Sequence, residues 1–163
     1  MSDKINIEII CDVDVPINIH QDLKNISQVV LHRNSISEFN ANILLTDDKT
    51  IKDLNSRYRG LDEVTDVLSF SSEYHGQYYG DNNQFDYSEE FILPKDAMFQ
   101  LAEVAISIPQ AIRQSEYTLE SELIKLVAHG FLHLLGYDHI LPEERKIMEK
   151  LELEAINEVS DIV

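Results

Sequence analysis

The segment between Thr118 and His139 restricts the fold more than any other part of the sequence. Its second half is a mostly apolar stretch that contains His129 and His133 and is followed by Gly136. Residues four positions apart lie on the same face of an α-helix, so a helix here places both imidazoles on one side. Because the neighbouring side chains are mostly apolar, we expect this helix to lie deep in the fold and to hold its two histidines rigidly.

A third histidine follows the helical pair. Gly136 can adopt a left-handed backbone conformation, which turns the chain so that His139 comes back toward the pair. Three neutral imidazoles with a fourth position left open are the ligand set of a catalytic zinc site. The chain has 6 histidines in 163 residues, so two more at these offsets have a chance of only about one in 700. The triplet predicts a metal site at His129, His133 and His139, where imidazole ligands favour zinc without excluding nickel, cobalt or iron.

The same histidine spacing, with a glycine seven residues after the first histidine, occurs in the metzincin proteases. Those enzymes carry a glutamate directly after the first histidine as the general base of peptide hydrolysis. Gly130 occupies that position here, and glycine cannot accept a proton from water. A zinc peptidase stays an alternative because the ligand spacing is shared. The missing base nevertheless favours a substrate that can be attacked without that glutamate.

Hydrophobic periodicity and turn residues along the rest of the chain predict a single α+β domain over residues 1–163. Strands are predicted at residues 5–11, 42–46, 64–70 and 101–108, and helices at residues 21–32, 48–59, 109–115, 118–135 and from 142 onward. This order gives a small mixed sheet of about four strands packed with helices, one of which is a histidine helix like that of the zincins. The last helix is predicted to be amphipathic through a stripe formed by Ile147, Met148, Leu151, Ala155 and Val159.

Two further segments carry local predictions. Residues 71–90 show no hydrophobic period and are rich in turn formers, so we predict a long exposed loop there. Its aromatic side chains could stack on nucleobases or anchor the loop on the domain, and we favour anchoring. Cys11 is the only cysteine and lies in an apolar stretch, so it is predicted to be a small core residue and to form no disulfide.

The charge of the chain limits how it can bind a polyanion. It carries 13 basic and 30 acidic side chains, for a net charge of −17. Such a protein cannot hold nucleic acid or anionic lipid through its overall charge, so a local basic patch or a metal has to bind any polyanion. The sequence has no basic leader followed by an apolar stretch, and no apolar run near the roughly 18 residues that cross a bilayer. We therefore expect a cytoplasmic protein without membrane association.

Two stretches resemble the YbeY family of bacterial endoribonucleases. The first is His-Gly-Phe-Leu-His-Leu-Leu-Gly-Tyr-Asp-His at residues 129–139, which is similar to the family's signature. The second is Leu-Asn-Ser-Arg-Tyr-Arg-Gly at residues 54–60, followed by Thr-Asp-Val-Leu-Ser-Phe at residues 65–70, which resembles its other hallmark. The family's usual Gly-Asp-Ile stands here as Ala-Glu-Val at residues 102–104, so the acid is kept and the glycine is lost.

The resemblance implies a zinc-dependent, single-strand-specific endoribonuclease that acts in maturation of the small-subunit rRNA 3′ end and in ribosome quality control. It implies one zinc ion held by His129, His133 and His139, and a functional arginine, Arg59, that holds the RNA phosphate. The implied partners are single-stranded ribosomal RNA and ribosomal proteins or assembly factors, and no membrane. The oligomeric state is not predicted.

Some alternatives stay open at the level of the sequence. Arg57 and Arg59 lie near a predicted helix C-terminus, where cations are favoured whether or not they bind phosphate. Asp138 can orient a histidine or cap the turn. The attacking group can be a water or the ribose 2′-hydroxyl. A ribosome-assembly factor that uses the metal only structurally is a further alternative, and it requires a fourth protein ligand.

Overall fold

The computed structural model describes residues 4–71 and 102–162, and it confirms the predicted α+β class with a four-stranded mixed sheet in these ranges. The strands are β1 (Lys4–Cys11), β2 (Glu38–Thr46), β3 (Val67–Ser71) and β4 (Ala102–Ser107). The helices are α1 (Asn18–Arg33), α2 (Asp48–Arg59), α3 (Ile108–Gln114), α4 (Leu119–Leu134) and α5 (Pro142–Ile162).

The sheet has the order β1-β2-β4-β3. Strand β2 pairs in parallel with both β1 and β4, and β3 pairs with β4 in the antiparallel sense. Side chains of a strand alternate between the two faces of a sheet. On β4, Val104 and Ile106 belong to the main core beneath α1, α4 and α5, while Ala105 packs with Ile51 and Leu68 beneath α2. Helix α4 therefore lies on one face of the sheet and α2 on the other.

Helix α4 begins and ends where the sequence predicts. The Thr118 hydroxyl accepts a hydrogen bond from the Ser121 N–H at 3.0 Å, and the Ser121 hydroxyl lies 3.3 Å from the Thr118 nitrogen, which completes a capping box. At the other end Gly136 has φ 100°, and the Tyr137 N–H donates to the Leu132 carbonyl at 3.0 Å. This turn reverses the chain directly after the helix.

Helix α4 approaches the sheet closely at Gly130. A Cβ atom at this position would lie 2.9 Å from Cγ1 of Val104 and 3.2 Å from Oγ of Ser69. The Ser69 hydroxyl donates a hydrogen bond of 3.0 Å to the Gly130 carbonyl. Because Val104 is fully buried, it cannot move aside without disturbing the core, so the helix backbone reaches this depth only with glycine.

Several sequence predictions are corrected by the structure. Cys11 is exposed and not a core residue, because β1 is an edge strand; its Sγ lies 3.4 Å from Nε2 of His20. Strand β3 begins at Val67 and not at Val64, since the Asp66 carboxylate accepts the Val67 N–H at 2.7 Å and shapes the entry to the strand. Ile147, assigned to the buried stripe of the last helix, is 53% exposed.

Other predictions fall partly outside the described ranges. The predicted aromatic loop at 71–90 lies outside them except for its first residue, and so does the first residue of the strand predicted at 101–108. Within residues 4–71 and 102–162, no helix combines the length and the apolar character needed to cross a membrane.

Substitution of Gly130 tests the packing of α4. We expect Gly130→Ala to lower the free energy of unfolding by about 1–3 kcal/mol, because the new methyl group meets a fully buried neighbour. Urea denaturation of the wild type and the variant measures this change. In a double-mutant cycle, Val104→Ala should cost less in the Gly130→Ala background than in the wild type. A gain in stability of about 1 kcal/mol, the amount by which alanine is favoured over glycine within a helix, would contradict the close approach.

Candidate metal centre

Three histidines converge on one side of α4 and the turn that follows it. Nε2 of His129 and Nε2 of His133 are 3.1 Å apart. The His139 ring, returned by the turn at Gly136, has its centroid 5.2 Å from that of His129 and 5.0 Å from that of His133. One nitrogen from each of the three rings can be chosen so that all lie within 4.8 Å of one another. The structure thus brings together the three residues that the sequence pattern singled out.

The hydrogen bonds of two rings assign their tautomers. Nδ1 of His133 lies 2.9 Å from the Tyr137 carbonyl oxygen, and Nδ1 of His129 lies 2.5 Å from Oε1 of Glu152. A carbonyl and a carboxylate only accept hydrogen bonds, so each Nδ1 is assigned the proton and donates. Both Nε2 atoms then carry a lone pair, and they lie 3.1 Å apart.

This donor set fits a metal ion. Two imidazole lone pairs 3.1 Å apart repel each other unless a cation lies against both. In a tetrahedral zinc site with Zn–N bonds of about 2.05 Å, the ligand nitrogens are about 3.3 Å apart, close to the separation seen here. Among the described residues, no aspartate, glutamate, cysteine or fourth histidine joins the cluster. The three rings could therefore hold an ion that keeps an open position, which disfavours the purely structural metal.

The protonation state of His133 also suits a ligand. Burial lowers the pKa of the His133 imidazole to about 3, with further lowering from His129, His139 and Arg59; the hydrogen bond with the Tyr137 carbonyl acts in the opposite direction. An imidazole with this pKa is neutral at physiological pH, so His133 does not need to lose a proton before it binds a cation.

Arg59 and the histidines line the same cavity, whose volume is about 390 Å³. The Arg59 side chain is half-buried at the end of α2, where Gly60 closes the helix with φ 72°. Arg57 belongs to the same helix end, but it is exposed and pairs with Asp53 at 3.2 Å. The structure therefore places only one of the two arginines at the histidines.

The second sequence motif contributes to the same cavity through Thr65, Asp66, Val67 and Ser69. Both oxygens of Asp66 accept hydrogen bonds, one from the Val67 N–H at 2.7 Å and one from Nε2 of Gln114 at 3.0 Å. The entry to β3 is thereby fixed beside the histidines. The two separated motifs are thus two walls of one site.

Asp138 stabilises the turn. Its Oδ1 accepts the His139 backbone N–H at 2.7 Å, which is the capping role that the sequence left open. The side chain also lines the cavity that contains Arg59. It follows that Asp138 helps to place His139 through the backbone.

Glu152 is a residue of the site that sequence reasoning missed. It lies on α5, 23 residues after His129, and its side chain is only 14% exposed. The α5 residues buried in the core are Met148, Ala155 and Val159. Glu152 lies between them, so the available signal was a carboxylate within an otherwise apolar helical stripe.

A second, smaller cavity of about 290 Å³ lies on the α5 side of the cluster. His129 and His139 line it together with Arg145, Met148, Glu149 and Glu152. The cluster is therefore reached from two directions, between α2 and α4 and along α5.

The position after the first histidine cannot act as it does in metzincin proteases. At Gly130 the backbone of α4 lies so close to the side chains of Val104 and Ser69 that there is no room for a side chain. A glutamate there would have to displace core residues before it could accept a proton. The geometry thus counts against the peptidase alternative.

Comparison with known proteins gives consistent matches. A family model described as endoribonuclease YbeY matches residues 9–160. An endoribonuclease YbeY of Thermoanaerobacter sp. (strain X514) is 35% identical over 144 residues, which cover 86% of this chain and 87% of that protein. An endoribonuclease YbeY of Brevibacillus brevis is 40% identical over 121 residues, or 72% of each chain. A solution structure of TM1509 from Thermotoga maritima has a TM-score of 0.55 and 26% identity, and the match covers 95% of this chain and 88% of that one.

Acid is expected to destabilise the chelator-treated protein through His133. Its pKa is about 3 in the folded protein and near 6.5 in the unfolded chain. Between these values the unfolded chain binds a proton that the folded protein does not, so the free energy of unfolding falls as the pH is lowered. The slope reaches about 1.4 kcal/mol per pH unit, and it vanishes well above pH 6.5.

Urea denaturation between pH 4.5 and 7.5 measures this effect when wild type is compared with His133→Asn. The unfolding free energy of wild type should fall relative to that of His133→Asn as the pH is lowered. Parallel curves over the whole range would show that His133 is not held neutral by burial.

Proposed function

The chain belongs to the YbeY endoribonuclease family, and we propose that it is a zinc-dependent, single-strand-specific endoribonuclease. We propose that it acts in the cytoplasm in maturation of the small-subunit rRNA 3′ end and in ribosome quality control. One observation carries the proposal: Arg59 and all three histidines line the same cavity. A phosphodiester needs such a combination of a metal centre and a guanidinium, since its charge rises in the transition state.

In this proposal His129, His133 and His139 hold the ion, and the turn at Gly136 presents the third ligand. When bound, the ion supplies a Lewis acid that offsets negative charge on a phosphodiester and makes a water more acidic. Arg59 donates hydrogen bonds to a phosphate oxygen and offsets the charge that develops there. Arg59 is the proposed catalytic residue, because it lines the cavity with the three histidines and its guanidinium keeps its charge.

The shape of the site supports a flexible RNA strand as the substrate. The cavity is recessed between the end of α2, β3 and the turn after α4, and His133 at its base is only 8% exposed. A single strand can bend its backbone into such a recess, and proteins that recognise particular RNA sites mostly bind single-stranded segments. Ribosomal proteins or assembly factors are the proposed protein partners, since their commonly basic surfaces complement a chain with a net charge of −17.

Cleavage of a defined RNA tests the proposed function. We expect the zinc-loaded protein to cut a labelled single-stranded RNA and to leave the matching duplex intact. Arg59→Ala should reduce the rate by about 10²–10³-fold, the usual cost of removing one group that stabilises transition-state charge. Arg57→Ala is the matched control, because it removes the same charge from the same helix end outside the cavity, and it should stay within about twofold of wild type.

His133→Ala completes this experiment. It should lose both bound metal and RNA cleavage, and a chelator should abolish the activity of the wild type until zinc is restored. Full metal content together with full cleavage in His133→Ala would overturn the site. Cleavage of casein but not of RNA would favour the peptidase alternative.

Binding to RNA in general should be weak and strongly dependent on salt. The negative charge of the surface repels RNA over about one Debye length. Only the proposed metal centre and Arg59 attract the RNA backbone. Fluorescence anisotropy with random duplex and single-stranded RNA from 50 to 300 mM salt measures this. Tight, salt-insensitive binding of the duplex would contradict the proposed mode of recognition.

A further inference from the structure

We propose that Glu152 is a positioning residue of the metal centre, which holds His129 in the tautomer and orientation that metal binding needs and thereby makes α5 part of the site. The proposal rests on the metal-binding part of the proposed function and is independent of the RNA substrate. Its basis is the contact of 2.5 Å between Nδ1 of His129 and Oε1 of Glu152, two groups that α4 and α5 bring together.

The place of Glu152 in the helix calls for a functional reason. A buried carboxylate is unfavourable unless a donor compensates it. Glu154 and Glu158 of α5 lie at the surface, where both pair with Arg33 of α1. Glu152 instead points inward, with 14% of its side chain exposed, against an imidazole that is 26% exposed. An apolar residue would serve packing better at this position, so the contact with His129 is the reason for a carboxylate here.

The chemistry of the contact explains what the carboxylate does. A carboxylate accepts the Nδ1 proton of His129, which leaves Nε2 with its lone pair directed at His133 and His139. A negatively charged partner on the far nitrogen also makes the ligating nitrogen more basic and fixes the plane of the ring. Without it, either nitrogen of His129 can carry the proton, and the ring is free to turn toward the cavity on the α5 side.

His129 and His133 differ in how they are held. His133 donates to the carbonyl of Tyr137, which belongs to the turn after its own helix. His129 depends on a residue of another helix. Ordering of His129 and packing of α5 against α4 are therefore coupled, so a cation bound to the histidines should also stabilise the packed position of α5.

The variants Glu152→Gln and Glu149→Gln separate positioning from simple attraction of a cation. Glutamine has nearly the shape of glutamate, so Glu152→Gln removes the charge at the Nδ1 contact with little change in packing. Glu149 lines the same cavity on the same helix, but it is exposed. Removal of its charge makes the potential at the three histidines less negative but leaves the hydrogen bond between His129 and Glu152 in place.

The experiment is a titration of the chelator-stripped full chain with Zn²⁺ in competition with a chromophoric chelator. We expect Glu152→Gln to bind zinc about 10–100-fold more weakly than wild type, as is typical when the partner of a metal-ligating histidine is lost. Glu149→Gln should stay within about threefold. Circular dichroism and thermal unfolding of the stripped proteins should show that both variants are folded.

Two further readouts would not respond to a merely structural role. In ¹H–¹⁵N spectra of the histidine side chains, zinc-loaded wild type should show His129 protonated at Nδ1, and Glu152→Gln should show a changed or mixed state. Hydrogen exchange of α5 amides should slow when zinc binds to wild type, and it should slow less in Glu152→Gln.

Equal zinc affinity in Glu152→Gln and wild type would overturn the proposal, and so would an equal loss in Glu149→Gln. Absence of zinc binding by wild type would overturn the metal centre itself. Normal metal binding by wild type without RNA cleavage would reject the proposed function and leave the role of Glu152 supported.

Discussion

The close packing of α4 against β4 is the constraint on which the rest of the structure depends. At Gly130 the helix backbone approaches Val104 so closely that no side chain fits between them. This depth buries nearly all of the apolar surface of the helix and leaves its histidines at the edge of the core. His133 is desolvated at this depth, so its pKa is lowered and it stays neutral, and its buried nitrogens need hydrogen-bond partners. The same packing thus stabilises the fold and prepares the ligands.

The candidate metal centre combines short-range and long-range structure. Two of its histidines are arranged by their own neighbourhood: His133 by the Tyr137 carbonyl, and His139 by the turn that Asp138 stabilises. His129 requires Glu152 from α5, and the cavity requires Arg59 from α2. A ligand set can therefore form from one continuous segment, but its orientation and its surroundings exist only in the folded domain.

The contrast between short-range and long-range structure also determines which parts of the site could be predicted from the sequence. The histidine triplet was predictable, because the spacing on a helix and the turn at Gly136 are local properties. Cys11 was placed wrongly, because the position of a strand at the edge of a sheet depends on pairing order, which is not a local property. Arg57 and Arg59 lie about 200° apart around a helix, so only one of them can face the histidines. Spacing alone could not select it, whereas the resemblance to the family did, and the cavity contains the residue so selected.

Under the proposed function, the charges around the cavity give a metal a role beyond the chemical step. Arg59 lines the cavity together with Asp66 and Asp138, and the neutral imidazole of His133 adds no positive charge. The carboxylates thus outnumber the guanidinium, and the surface beyond them belongs to a chain with a net charge of −17. The charged side chains that line this cavity therefore give a phosphodiester little net attraction. A divalent ion held by the three histidines would make the local charge positive, because its charge exceeds this small excess, while the long-range field would stay negative. Under the proposed function, the ion therefore governs whether RNA enters the site at all, and the acidic surface limits entry to strands that a partner has brought close.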